Sequence, residues 1–169
     1  MSLADVGLAA GYSRGLPGER FGSKLGFLEA VVSFLQKWLD ERISTALANK
    51  SGLEAVLARI ECHVEAAEEN PQFHRALYHL VIESTWTEPD LHASISKLER
   101  SHRQGFIKLL KEGQERGEIK ATLDLSQQAI IIVGTMRGVI IQALVGATPG
   151  MLSKIKGDLI QMFRLTLKK

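Results

Sequence analysis

One spacing governs most of this chain. From Leu28 onward, apolar residues return every three or four positions: Leu28, Val32, Leu35, Leu39 and Ile43, with Val31 and Trp38 widening the stripe. Leu53, Val56, Leu57, Ile60 and Val64 restart the period, as do Phe73, Leu77, Leu80 and Val81. Leu91, Ile95, Leu98, Phe106, Ile107, Leu109 and Leu110 continue it. Side chains three or four apart share one face of an α-helix, so a chain patterned this way buries its stripes by packing helix on helix. Asn49-Lys-Ser-Gly, Asn70-Pro71, Glu88-Pro89 and Pro149 fall between the runs, where turns and helix starts belong. Only 4 prolines interrupt 169 residues, and no segment alternates with the period of two that a strand needs. The expected fold class is all-α.

Two further helices complete the pattern. Residues 125–145 are apolar almost all round, which predicts burial on more than one side. In the last helix Leu152, Ile155, Leu159, Met162, Phe163 and Thr166 share a face. Apolar residues make up 45% and charged residues 24% of the chain, as in ordinary globular proteins. The formal charge of +2 is too small to mark a nucleic-acid binder by itself. The single cysteine, Cys62, leaves no internal disulfide, and no leader pattern opens the sequence, so a cytoplasmic protein is expected. Residues 129–147 could tempt a membrane assignment, but Arg137, Gln142 and several glycines favour a buried helix, with no membrane partner.

The N-terminal residues carry the most specific signal. Leu3, Val6, Leu8 and Ala10 give a short first helix an apolar side, and Gly11 suits a left-handed ending. Ser13 can cap a second helix running to about Phe21, and Ser23 a third. Two helices joined by a short glycine-containing turn form a helix-turn-helix. Ala4-Asp-Val, Ala10-Gly-Tyr-Ser-Arg-Gly and Phe21-Gly-Ser-Lys before an aliphatic helix resemble the DNA-binding region of TetR-family transcriptional repressors.

That resemblance implies a DNA-binding head with its linker helix over residues 1–48 and a ligand-binding, dimerising body over residues 49–169. It places the recognition helix over residues 13–21, with Tyr12, Ser13, Arg14, Glu19, Arg20 and Lys24 as the DNA-contacting set and operator DNA as partner. Two residues depart from the family pattern. Gly18 stands where an aromatic residue is usual. Pro17 cannot donate to the Ser13 carbonyl, so the helix either begins later, near Pro17, or is distorted. The family's head has a further helix before the position of Leu3. With the sequence opening at Met1, a thin, mobile head and impaired DNA binding are expected.

For the body, the resemblance implies a small-molecule effector that releases DNA. Candidate lining residues are Phe73, Leu77, Tyr78, Trp86, Phe106 and Met136, with His74, His79 or Arg137 adding polarity. Arg137 stands out because a cation in an apolar helix needs a partner. Gly134 and Gly138 lie one turn apart and admit close approach of another helix. With Ile141, Leu152, Ile155, Leu159 and Met162 they form the expected homodimer interface, a four-helix bundle with two-fold symmetry.

Other motifs fade on inspection. Gly11-Tyr-Ser-Arg-Gly15 matches a hydrolase nucleophile spacing but follows a helix rather than a strand. Ser94-x-x-Lys97 and Ser153-x-x-Lys156 lack companion motifs. Cys62 and the five histidines show no metal-ligand spacing. No enzyme activity, metal or cofactor is implied. The competing reading is a helical dimer that binds a small molecule or protein without touching DNA.

Overall fold

The structure, a computed structural model, describes residues 2–86, 89–146 and 150–169. Glu88 and Pro149, read above as helix punctuation, lie outside the described residues. Helix α1, Leu3–Ala9, is started by a reciprocal cap: Ser2 Oγ accepts from Asp5 N at 3.2 Å, and Asp5 accepts from Ser2 N at 2.8 Å. Gly11 follows at φ 76, the left-handed turn expected of it. Helix α2 spans Leu16–Phe21, with Gly15 at the N-cap. It therefore starts later than Ser13, and Pro17 sits in the first turn, where its missing N–H costs nothing. Ser13 instead braces the turn, its Oγ accepting from Leu16 N at 3.3 Å.

The two short helices meet at Gly7. A Cβ there would come within 2.5 Å of the Ser13 carbonyl oxygen and 3.1 Å of the Pro17 ring, so only glycine allows this approach. Helix α3, Lys24–Ala46, is capped by Ser23, whose Oγ accepts from Gly26 N at 3.0 Å. It runs unbroken from the head into the body.

Helix α4, Gly52–Glu69, is the axis of that body: 13 of its 18 residues are buried, Arg59 and His63 among them. Around it lie α5 (Pro71–Glu83), α6 (Pro89–Glu115), α7 (Leu125–Gly146) and α8 (Met151–Leu167). Val56, Ile60 and Val64 of α4 meet Phe106 and Leu110 of α6, Ile132 and Ile140 of α7, and Leu159 and Phe163 of α8 in one core. A smaller cluster of Val32, Leu80, Leu91 and Ile95 joins α3, α5 and α6 below it. Glu118 ties the ends together. Its carboxylate accepts from Leu53 N at 2.9 Å, and its carbonyl accepts from Lys169 N at 3.1 Å.

Helix α7 departs from expectation. Within the protomer it buries one side only, through Ala129, Ile132, Val133, Met136 and Ile140. Ile130, Ile131 and Val145 are exposed on the other. By length and composition this helix could cross a membrane. Here it closes the core, and its one cation is ion-paired within the body.

Candidate functional site

Five helices converge on a cavity of about 220 Å³. Apolar walls come from Leu39 and Ile43 of α3, Leu77 of α5, Leu98 of α6, and Val133, Met136 and Ile140 of α7. Polar groups enter between them: Gln36 and Asp40, Arg59 and His63, His74 and Tyr78, Glu99, Ser101 and His102, and Arg137. A mostly apolar cavity with a few convergent polar groups is the usual form of a small-molecule site.

The polar groups fall into two unequal sets. Arg137 Nη2 donates to Glu99 Oε1 at 2.7 Å, Arg103 approaches the same carboxylate at 3.8 Å, and the Arg137 guanidinium lies 5.6 Å from the Tyr78 ring centre. Arg59 is different. It is 7% exposed, sits 4.5 Å above the Phe106 ring, and donates once, from Nη2 to the His102 carbonyl at 3.4 Å. Its Nε finds no partner. Burial pulls its pKa down to about 10, so it stays charged at neutral pH.

His63 and His102 meet across α4 and α6, Nε2 to Nε2 at 3.0 Å, one ring donating and the other accepting. Burial pushes His63 well below the usual imidazole range, with His102 and Arg59 adding to the shift. Burial and the neighbouring arginines bring His102 to about 3. Both rings are neutral at pH 7. His74 is lowered by burial, and Tyr78 is raised to about 12 by burial. Among the described residues no group of three or more His, Cys, Asp or Glu side chains is placed to hold a metal.

Of the residues singled out from sequence, Leu77, Tyr78, Met136, Arg137 and His74 do line the cavity. Phe73 instead packs at a tilt against Trp38, with ring centres 4.2 Å apart, and Phe106 lies behind Arg59 as its platform. Trp86 is 85% exposed and does not line the cavity, and His79 is a surface group 3.3 Å from Glu83. The structure thus removes Trp86 from the cavity. Sequence reasoning missed Arg59, His63, Glu99 and His102. The signal was present, because 59 and 63 fall at i+3 and i+7 from Val56, inside the apolar stripe of α4.

In the head, Tyr12, Ser13, Arg14, Glu19, Arg20 and Lys24 are all exposed, on α2, its entry turn and the first residue of α3. Only Gly7 of α1 and Pro17 of α2 are buried, and Leu8 is 52% exposed. Phe21 packs edge-on against Phe27 of α3 at 5.2 Å.

The residues expected at a dimer interface divide. Leu152 and Leu159 are buried in the protomer core, because α8 lies along α4, and they are not available to a partner. Gly134 and Met162 are exposed, and Gly138, Ile141 and Ile155 are half-buried. A Cβ added at Gly134 or Gly138 would meet nothing within 4 Å.

A family model described as "Tetracyclin repressor-like, C-terminal domain" matches residues 52–155. None of the curated proteins matches in sequence. Among solved structures, a TetR transcriptional regulator from Chloroflexus aurantiacus J-10-FL is 22% identical, over 99% of this chain and 85% of that one, with a TM-score of 0.83. The fatty acid degradation regulator FadR from Bacillus halodurans is 17% identical over 96% and 87%, with a TM-score of 0.79. The ketosteroid transcriptional regulator KstR2 of Mycobacterium tuberculosis is 16% identical over 100% and 85%, with a TM-score of 0.73. At such identities the likeness concerns the fold.

Proposed function

The chain belongs to the tetracyclin repressor-like (TetR) family, whose C-terminal domain model spans residues 52–155, and on that premise we propose that it is a dimeric repressor of transcription, released from operator DNA by a small molecule. TetR-family regulators are transcription factors, not enzymes. The observation that carries this reading is α3. One helix of 23 residues begins at Lys24 beside the head's exposed basic residues, and its C-terminal half lines the cavity from Gln36 to Ile43. At 1.5 Å per residue it is a rod of about 34 Å, so a ligand that displaces its cavity end also tilts the head.

Arg14, Glu19 and Arg20 are the side chains of α2 and its approach that reach base edges or phosphates, with Tyr12, Ser13 and Lys24 holding the backbone. Two copies joined through the open face of α7, around Gly134, Gly138 and Ile141, with Ile155 and Met162 of α8, present two such heads to two half-sites. The effector occupies the cavity against Tyr78, Met136 and Arg137. Such a regulator works in the cytoplasm.

The head's packing sets how tightly it holds DNA. With only Gly7 and Pro17 buried in its first two helices, the 169-residue chain binds operator weakly. Selection of genomic fragments on the purified chain, followed by titration at several salt concentrations, tests both points. Enrichment of a two-fold-symmetric site with micromolar, steeply salt-dependent binding is expected. Failure to enrich any sequence would overturn the repressor reading, and nanomolar selective binding would overturn the weak-head proposal.

A further inference from the structure

Arg59 is the least explained charge in the molecule. A buried guanidinium ordinarily has a carboxylate beside it, because desolvation otherwise goes uncompensated. Arg137 obeys that rule through Glu99. Among the described residues no carboxylate stands within 4.0 Å of Arg59, although Asp40 across the cavity favours its charged form. Glu99, the other acidic group of the lining, is already shared by Arg137 and Arg103. The neighbouring histidines are neutral and offer no negative charge.

The position of Arg59 is built. Gly105 of α6 faces it, and a Cβ at that residue would overlap Arg59 Nη1. Phe106, one residue on, supplies the aromatic face beneath the guanidinium, and the His102 carbonyl fixes Nη2. Nε is left without a partner on a side chain that lines the cavity. Nε–H and an Nη–H of one guanidinium form a planar edge that donates to both oxygens of a carboxylate. Of the two cations in the lining, Arg59 is the one with no described carboxylate within 4.0 Å, which suits a single negative charge, whereas a phosphate dianion would bring a second charge into a lining that already holds Asp40 and Glu99. The remaining walls are chiefly aliphatic, from Leu39, Ile43, Leu77, Val133, Met136 and Ile140, and suit a carbon skeleton.

We infer that the cavity takes a small ligand with an apolar body and a single carboxylate, the carboxylate seated on the Arg59 guanidinium. The inference deepens the sensor reading above and rests on it. The carboxylate supplies the negative charge that no described side chain brings within 4.0 Å of the guanidinium, and the aliphatic walls take the rest of the molecule.

Calorimetric titration of the full chain at pH 7 with hexanoate and benzoate, each against its primary amide, tests this. The acids are expected to bind at least tenfold more tightly than the amides. Arg59→Met should abolish that preference and Arg59→Lys should keep part of it. Because a variant at a buried site could fail to fold, the Arg59 Nε–H resonance of the unaltered chain gives a second readout, shifting with acid and not with amide. Amides binding as tightly as acids would overturn the inference and leave the sensor reading standing. Binding by none of the four probes would overturn both. Acid preference that survives Arg59→Met, with an unmoved Nε–H resonance, would show that the head group sits elsewhere and would sink the assignment.

Discussion

Helices α4 and α7 invert the usual relation between composition and burial. Helix α7 is the more apolar, with five isoleucines, three glycines and one charge in 22 residues. Helix α4 carries five glutamates, an arginine and a histidine in 18. Yet α4 is enclosed on nearly every side, whereas α7 leaves Ile130, Ile131 and Val145 to solvent, the last 80% exposed. Hydrophobicity measures how much surface a helix would bury, not where the fold puts it. An excess of apolar surface beyond what the protomer covers points to a second copy. An excess of enclosed polarity points to a site within.

The contrast can be broken at its strongest point first. Ile60 is fully buried at the centre of α4, so Ile60→Ala should cost about 2–5 kcal/mol, read as a lowered denaturation midpoint. A loss below about 1 kcal/mol would mean that α4 is not the axis described.

Titration comes next in size. His63 and His102 are held below the ordinary imidazole value of 6.5, so below that pH the unfolded chain binds protons that the folded one refuses. Stability should therefore be full above pH 6.5 and fall as pH drops from there toward 5. The loss flattens only near the His102 value of about 3. Each ring costs up to about a tenfold change in folding constant per pH unit. Denaturant midpoints at pH 7, 6 and 5 check this, and His63→Gln should flatten the slope. Nothing comparable is expected of α7, which carries no histidine.

The smallest effect on the protomer should fall on the open face of α7. A side chain at Gly134 has space within one copy, so Gly134→Arg should leave the protomer's unfolding curve in place while weakening self-association by tenfold or more. Sedimentation across a concentration series reads both species. Unchanged association would place the interface elsewhere.

Much of this was legible in the residues. The helices of the body follow the three-to-four spacing, and Pro71 and Pro89 open helices where the rigid ring predicts. The start of α2 was ambiguous because Ser13 and Pro17 compete to define its first turn, and three-dimensional packing against Gly7 settled it at Leu16. Arg137 was recognisable as needing a partner, since a charge stands out in an apolar run. Arg59 falls at i+3 from Val56 inside the apolar stripe of α4, but the several charges elsewhere on that helix mask this signal and make it read as surface. The His63–His102 pair spans 39 residues of sequence, and no local spacing encodes a contact between separate helices. For the same reason Leu152 and Leu159 look like a seam for another subunit until α8 is laid against α4.

The partnership of α4 with α8 also has a consequence in time. Arg164 Nη2 reaches Glu54 at 3.0 Å across 110 residues of chain, and Glu118 must be in place before the first turn of α4 is capped. Contacts this distant in sequence form late and slow the search for the native state. On the ribosome the head, built from neighbouring segments, closes early. The side of α4 that α8 covers must wait uncovered until nearly the whole chain has emerged, and that interval exposes the nascent protein to aggregation.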